Sequence, residues 1–168
     1  LDREAPALNR ANSYIAVMVD DLTLHGVSEP YRMLTSRAEY RLRLRAANAD
    51  TRLTPLGQAI GCVGEERAAW FAQRQRRLEQ ARSALETSLA PKELAVAGIP
   101  VEPVGAPRTI AEWLQHQSVE ADDLSSFMPE DWDWSDPVVT EATEDAAYAP
   151  YLARQEAELR DLRANDHV

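Results

Sequence analysis

Apolar residues recur at helical rather than strand spacing along most of the 168-residue chain. Between residues 12 and 24, Tyr14, Ile15, Met18, Val19 and Leu22 fall on one face of a helix. Asn12 or Ser13 can cap its start, and Gly26 is placed to end it. Thr54-Pro55 reads as the start of a second helix, with proline at the first helical position and Gly57 and Gly61 keeping it short. The clearest pattern runs from Glu65 to Leu89. There Phe71, Leu78 and Leu85 repeat every seven residues, Ala68, Trp70 and Ala81 fill the stripe, and Glu65 and Glu66 suit the N-terminal dipole. Pro91 ends this helix or starts the next one.

Residues 98–108, rich in Gly and Pro, read as a loop between helical layers. Thr109 with Glu112 forms a capping-box pattern that opens a short helix through Ile110, Trp113 and Leu114. A further turn of helix covers Glu120 to Phe127. Asp136-Pro137 caps a last long helix, with a kink expected at Pro150, running to about Arg163. Its apolar face would be Tyr148, Tyr151 or Leu152, Gln155, Leu159 and Leu162. No set of strands and no internal repeat emerges. The expected fold is mainly α, a helical bundle.

One stretch breaks this regularity. Glu29 to Leu53 holds six of the 17 arginines (Arg32, Arg37, Arg41, Arg43, Arg45, Arg52) against three acids, in a chain whose net charge is −10. Leu42 and Leu44 alternate with Arg41, Arg43 and Arg45 as in a strand, whereas Ser36 with Glu39 makes a capping box for a helix from Arg37. The helix is favoured, and Arg41 and Arg45 share a face either way. A local reversal of charge points to a partner of opposite sign: nucleic acid, a phosphorylated cofactor, or the acidic part of the same chain. The guanidinium fork matches phosphate, so phosphate contact is preferred here over a purely structural ion-pair network. Tyr31 and Tyr40 are placed either to stack on bases or to pack in the core.

Other charges have plainer readings. Arg67, Arg74, Arg76, Arg77 and Arg82 form a second basic patch, expected to be a solvated helix face. From Glu120 to Asp145 there are ten acids and no Lys or Arg. Asp20-Asp21 sits near a helix C-terminus, where negative charge is disfavoured, so a metal or neighbouring arginines should answer it.

The composition, 45% apolar and 27% charged, is that of a soluble globular protein, and no apolar run approaches the roughly 20 residues of a membrane span. A lone cysteine, Cys62, makes no internal disulfide; a reducing cytoplasm is the expected compartment, and the thiol is expected to be buried and inert. Gly57, Gly61 and Gly64 are spaced wrongly for a dinucleotide loop, and His25, His116 and His167 stand alone as surface residues. Asp131, Asp133 and Ser135 match three positions of a calcium loop, but Asp136 stands where glycine is needed and Ala142 where glutamate is. Trp132 and Trp134 are expected to anchor this acidic loop on the helices. No catalytic constellation and no metal site is expected. Opening on Leu1 rather than methionine, the sequence reads as an excerpt of a longer protein.

The segments Glu29-Pro30-Tyr31-Arg32-Met33, Thr35 to Leu42 (TSRAEYRL), and Asn48-Ala49-Asp50 followed by Arg52-Leu53-Thr54 resemble the signature block of the MnmG (GidA) family. Tyr14 to Leu22 (YIAVMVDDL) is similar to another family stretch, with Ala16 replacing its glycine. Thr109 to Trp113 and Tyr148 to Gln155 resemble weaker family features. Ala47 stands in place of a usual aspartate, and Arg43 in place of a usual leucine.

The resemblance implies a C-terminal portion of a flavoprotein that works with the GTPase MnmE. Together they install a (carboxymethyl)aminomethyl group at carbon 5 of the tRNA wobble uridine. It further implies FAD and NADH bound by regions outside this chain, a homodimer in the full-length protein, and no membrane association. Residues 1–26 would be the helix at the end of a preceding flavin domain, 27–62 an irregular arginine-rich junction, and 63–168 a truncated helical C-terminal domain. No catalytic residue is expected in the chain, which by itself should be inactive. Arg32, Arg37, Arg41, Arg43, Arg45 and Arg52 are the expected nucleic-acid contacts. The alternatives are a helical protein-interaction module, or a purely structural domain whose arginines pair with residues 120–145.

Overall fold

The computed structural model describes residues 8–26 and 28–165. It is mainly α-helical: α1 (Tyr14–Leu24), α2 (Ala49–Ala59), α3 (Glu65–Leu85), α4 (Pro91–Val96), α5 (Ile110–Trp113) and α6 (Pro137–Asn165), with 3-10 turns at Thr35–Arg37 and Asp122–Phe127. One antiparallel pair of two-residue strands, β1 (Ser88–Leu89) and β2 (Arg108–Thr109), interrupts the helices and was not expected. The chain divides into two compact units. The first comprises the described residues up to Ala72 and those from Tyr151 onward; the second is Gln73–Pro150.

In the first unit, Ser13 caps α1 by accepting from the Ile15 N–H at 3.2 Å, and Gly26, at a φ of 64°, turns the chain away. Val17, Ala38 and Leu44 form a small buried core flanked by Tyr14 and Tyr40. This core explains why the arginine stretch is neither helix nor strand. In a helix Ala38 and Leu44 would stand about 120° apart around the axis; in a strand they would share a face but lie about 20 Å apart. Burying both beside Val17 requires the chain to coil, and turns at Glu39–Arg43 do so, with the Leu44 N–H bonded to Tyr40 O at 3.0 Å. The expected helix from Arg37 is therefore replaced by one 3-10 turn and a string of turns.

The start expected at Thr54-Pro55 is also corrected, since α2 begins at Ala49 and carries Pro55 inside it. Buried Asn48 sets that earlier start. Its side-chain amide donates to Arg43 O at 3.0 Å and its Oδ1 accepts from Arg52 Nε at 2.8 Å.

In the second unit the buried core gathers Leu78, Ala81 and Leu85 of α3 with Leu94, Ile110, Trp113, Leu124, Val138 and Ala142. Helix α3 stops at Leu85 rather than Leu89, because Leu89 turns into β1, is buried, and accepts the Trp113 indole N–H at 3.1 Å. The Thr109–Glu112 capping box forms as the pattern requires: Thr109 Oγ1 accepts the Glu112 N–H at 3.2 Å, and Glu112 Oε2 accepts the Thr109 N–H at 2.8 Å. Asp136 caps α6 by accepting the Val138 N–H at 2.8 Å, and α6 runs unbroken through Pro150. Leu159 is buried and Tyr148, Leu152 and Gln155 are half-buried, whereas Tyr151 is exposed, so Leu152 is the one of the two alternatives that joins the apolar face. The side chain of Leu162, and all of His167, lie outside the described residues. Trp132 and Trp134 meet each other edge to face with ring centroids 5.4 Å apart and pack against the core, and the Trp134 indole N–H donates to Ser125 Oγ at 2.8 Å.

Candidate nucleic-acid interface

The centre of the first unit is Arg10, which sequence reasoning missed. Its Nη1 donates to Asp20 Oδ2 at 2.9 Å and Asp21 Oδ1 at 2.8 Å. Its Nη2 donates to Glu39 Oε1 at 2.8 Å and Arg37 O at 3.1 Å, and its Nε meets both Glu39 oxygens. One guanidinium thus ties the α1 acids to the arginine stretch. The ill-placed Asp20-Asp21 pair was the signal for it, and an arginine rather than a metal answers the pair. Among the described residues no group of three His, Cys, Asp or Glu could hold a metal ion. Glu39, claimed by Arg10, is not available to the capping box with Ser36.

Hydrogen bonds from Arg10, then from Tyr31, hold the Asp21 carboxyl below the usual carboxylate range. Partial burial pushes Glu39 up, but Arg10 outweighs it and the net shift is downward. Glu39 and Asp21 in turn raise Arg10 above its ordinary value. Burial, then the bond to Asp21, pushes the Tyr31 phenol up; its hydroxyl donates to Asp21 Oδ2 at 2.8 Å.

The six arginines of the stretch divide into two groups. Arg52 donates to Asn48 Oδ1, Asn12 O and Arg45 O, which makes it a brace of the fold. Arg43 pairs with Glu156 of α6, and Arg45 donates to Leu42 O. Arg37 donates from Nε to Arg32 O at 2.9 Å, lies 4.6 Å from the Tyr31 ring centroid and stands 3.7 Å from Asp21. Tyr31 is thereby stacked by an arginine of its own chain, and Tyr40 packs on the small core. Arg32 and Arg41 differ. Both are exposed, and neither guanidinium meets an acceptor among the described residues.

Arg32 and Arg37 line a cleft of about 710 Å³ together with Asp21, His25, Glu29 and Tyr31. Asp21 is already matched by Arg10 and Arg37, so Glu29 is the one lining carboxylate without a cationic partner among the described residues. Two guanidiniums, an imidazole and loop backbone suit an oxyanion such as phosphate.

The second basic patch is only in part the expected solvated face, with Arg67, Arg76 and Arg77 exposed. Arg74 is buried on Glu141, Arg77 pairs with Asp136 and Arg82 with Asp145, so much of α3's positive charge is matched by acids from the 120–145 segment and the start of α6. In the first unit Arg67 pairs with Asp50 and lies 4.0 Å from the exposed Trp70 ring centroid. Cys62 is exposed rather than buried, with Sγ 3.3 Å from Gly57 O. Asp133 Oδ1 accepts from both the N–H and the hydroxyl of Ser135, an Asx turn that keeps its carboxyl low. No helix of the described residues is long and apolar enough to cross a membrane.

Residues 65–156 match the family described as tRNA modifying enzyme MnmG/GidA C-terminal helical domain. The chain belongs to the MnmG/GidA family. It is 44% identical over 163 residues to the tRNA uridine 5-carboxymethylaminomethyl modification enzyme MnmG of Zymomonas mobilis, covering 97% of this chain and 26% of that protein. The enzyme of the same name from Chloroflexus aurantiacus is 40% identical, over 95% of this chain and 25% of the relative. The solved structure of Aquifex aeolicus GidA superposes with a TM-score of 0.74 at 30% identity, covering 96% of this chain and 26% of that one. The chain therefore spans about a quarter of the length of its MnmG/GidA relatives. The mainly helical architecture is that of the family's C-terminal region.

Proposed function

We propose that this chain is the tRNA-contacting portion of an enzyme that modifies the wobble uridine of tRNA at carbon 5. The relatives' names give a 5-carboxymethylaminomethyl modification of a tRNA uridine. The observation that supports the RNA contact is the division of the arginines: four are committed to their own fold, while Arg32 and Arg41 are exposed without a partner among the described residues. Arg32 and Arg41 make the primary phosphate contacts, and Arg37 supports them from the cleft wall. Arg43, Arg45 and Arg52 shape the surface.

In this reading the flavin and nicotinamide cofactors, the GTPase MnmE and the homodimer contact belong to the longer family protein. The described residues do not fit a flavin dinucleotide. Their one strand pair is two residues long, and neither strand leads through a glycine-rich turn to a helix N-terminus. No step through that cofactor is derived from this chain.

The test is tRNA affinity of the 168-residue chain as a function of salt, compared with an Arg32→Glu, Arg41→Glu variant. The expected result is a steep salt dependence whose slope falls by about 1.5 when two phosphate contacts are lost. Unchanged affinity and slope would sink the assignment. A second reading, an ion-paired structural role, is favoured for α3 alone, where Arg74, Arg77 and Arg82 each meet a carboxylate.

A further inference from the structure

In the second unit a cleft of about 420 Å³ opens between the Gly/Pro-rich loop and α5, walled by Pro91, Pro100, Val104 and Gly105. That volume lies within the range of roughly 300–1,000 Å³ typical of ligand pockets. Arg108 and His116 face this space from the other side. The Arg108 guanidinium lies 5.3 Å from the Trp113 ring centroid, and Trp113 is itself fixed by its bond to Leu89 O. Arg74, Arg77 and Arg82 of the same unit are each neutralised by a carboxylate, whereas Arg108 is exposed with none in ion-pair range among the described residues. His116 Nδ1 accepts the Ser118 N–H at 3.3 Å, so its Nε2 carries the proton and offers a second donor.

The loop supplies backbone as well. The N–H groups of Glu102, Val104, Gly105 and Ala106 bond to no described residue, and Pro103 and Pro107 have none to give. These N–H groups face solvent, which leaves them free to pair with the backbone of an extended peptide lying in the cleft. Val104 is 82% exposed and offers an apolar contact next to the charge.

We propose that this cleft receives an extended, mainly apolar peptide segment carrying one carboxylate, which Arg108 binds with support from His116. Two features disfavour a nucleic-acid strand. The ten acids between Glu120 and Asp145 belong to this same unit and repel a polyanion at long range. Trp113 is buried, so its ring is no platform for a base. Glu102 on the rim opposes a second negative charge.

The test is NMR titration of the nitrogen-15-labelled chain with the blocked peptide acetyl-Pro-Val-Asp-Val-amide, with its Asn-for-Asp counterpart, and with uridine monophosphate. The Asp peptide should shift the backbone signals of Gly105 and Ala106 and the Trp113 indole signal. The Asn peptide should bind about tenfold more weakly, the loss expected for a charge-assisted hydrogen bond. Arg108→Gln should lose a similar factor while its spectrum elsewhere is unchanged. Arg108→Lys, which keeps the charge without the fork, should fall between. Shifts indifferent to the Asn peptide or to Arg108→Gln, tighter binding of the nucleotide, or no shift at millimolar peptide would each overturn the proposal.

Discussion

Arg74 and Glu141 provide the sharpest test of how the second unit holds together. Their side chains are 8% and 0% exposed, and Glu141 Oε1 has no hydrogen-bond partner. Replacing Arg74 with Met leaves a buried carboxylate with no guanidinium opposite it. Removing one member of a buried pair costs about 3–5 kcal/mol, since desolvation has already been incurred and only the attraction is lost. For a chain of 168 residues each kcal/mol moves Tm by about 2–4 °C, so Arg74→Met should melt at least about 6 °C lower. The Arg77–Asp136 pair, 54% and 23% exposed, is the control: Arg77→Met should cost under about 1 kcal/mol. Tryptophan emission is a suitable probe, because Trp113, Trp132 and Trp134 lie in this unit. The double variant Arg74→Met, Glu141→Leu should recover most of the loss, because neither charge is then buried alone. If Arg74→Met and Arg77→Met shift the transition equally, burial is not what sets the cost and the reasoning fails.

The Arg10 network predicts an acid-sensitive first unit. Asp21 and Glu39 sit below their ordinary values of 3.8 and 4.5, so they contribute stability above those values that is lost as pH falls through the lower folded-state values. Arg10→Met should flatten that dependence in urea-unfolding midpoints taken below pH 4.5; parallel curves for the two proteins would contradict it. Cys62, being exposed, should react with a thiol reagent such as DTNB in the native protein without denaturant. A reaction that waits for denaturant would show the thiol to be covered.

Helix existence was readable wherever local pattern and burial agree. The seven-residue repeat of Phe71, Leu78 and Leu85 and the Thr109–Glu112 box depend on near neighbours, and both are realised. The arginine stretch was not readable as structure, because Ser36 and Glu39 advertise a helix while a residue almost 30 positions earlier takes Glu39 away. The same remoteness hid Asn48 as the organiser of α2, and Glu141 as the reason Arg74 is not on a solvated face. For the candidate site, sequence located the charge reversal but not its division. Which guanidiniums are committed depends on carbonyls and carboxylates brought close only by folding, as with Arg52 and Asn12 O.

Arg10 also couples the changes this region can take. Its guanidinium serves carboxylates of Asp20, Asp21 and Glu39 and the carbonyls of Val17 and Arg37 at once. Lysine cannot replace it, because an ammonium gathers its donors at one point and cannot reach acceptors on opposite sides. A change at residue 10 leaves Asp20 and Glu39 without this cation and Asp21 with Arg37 alone, and loss of the acids leaves the guanidinium with carbonyls only. Substitutions at these four positions should therefore be non-additive, because all four side chains share one network.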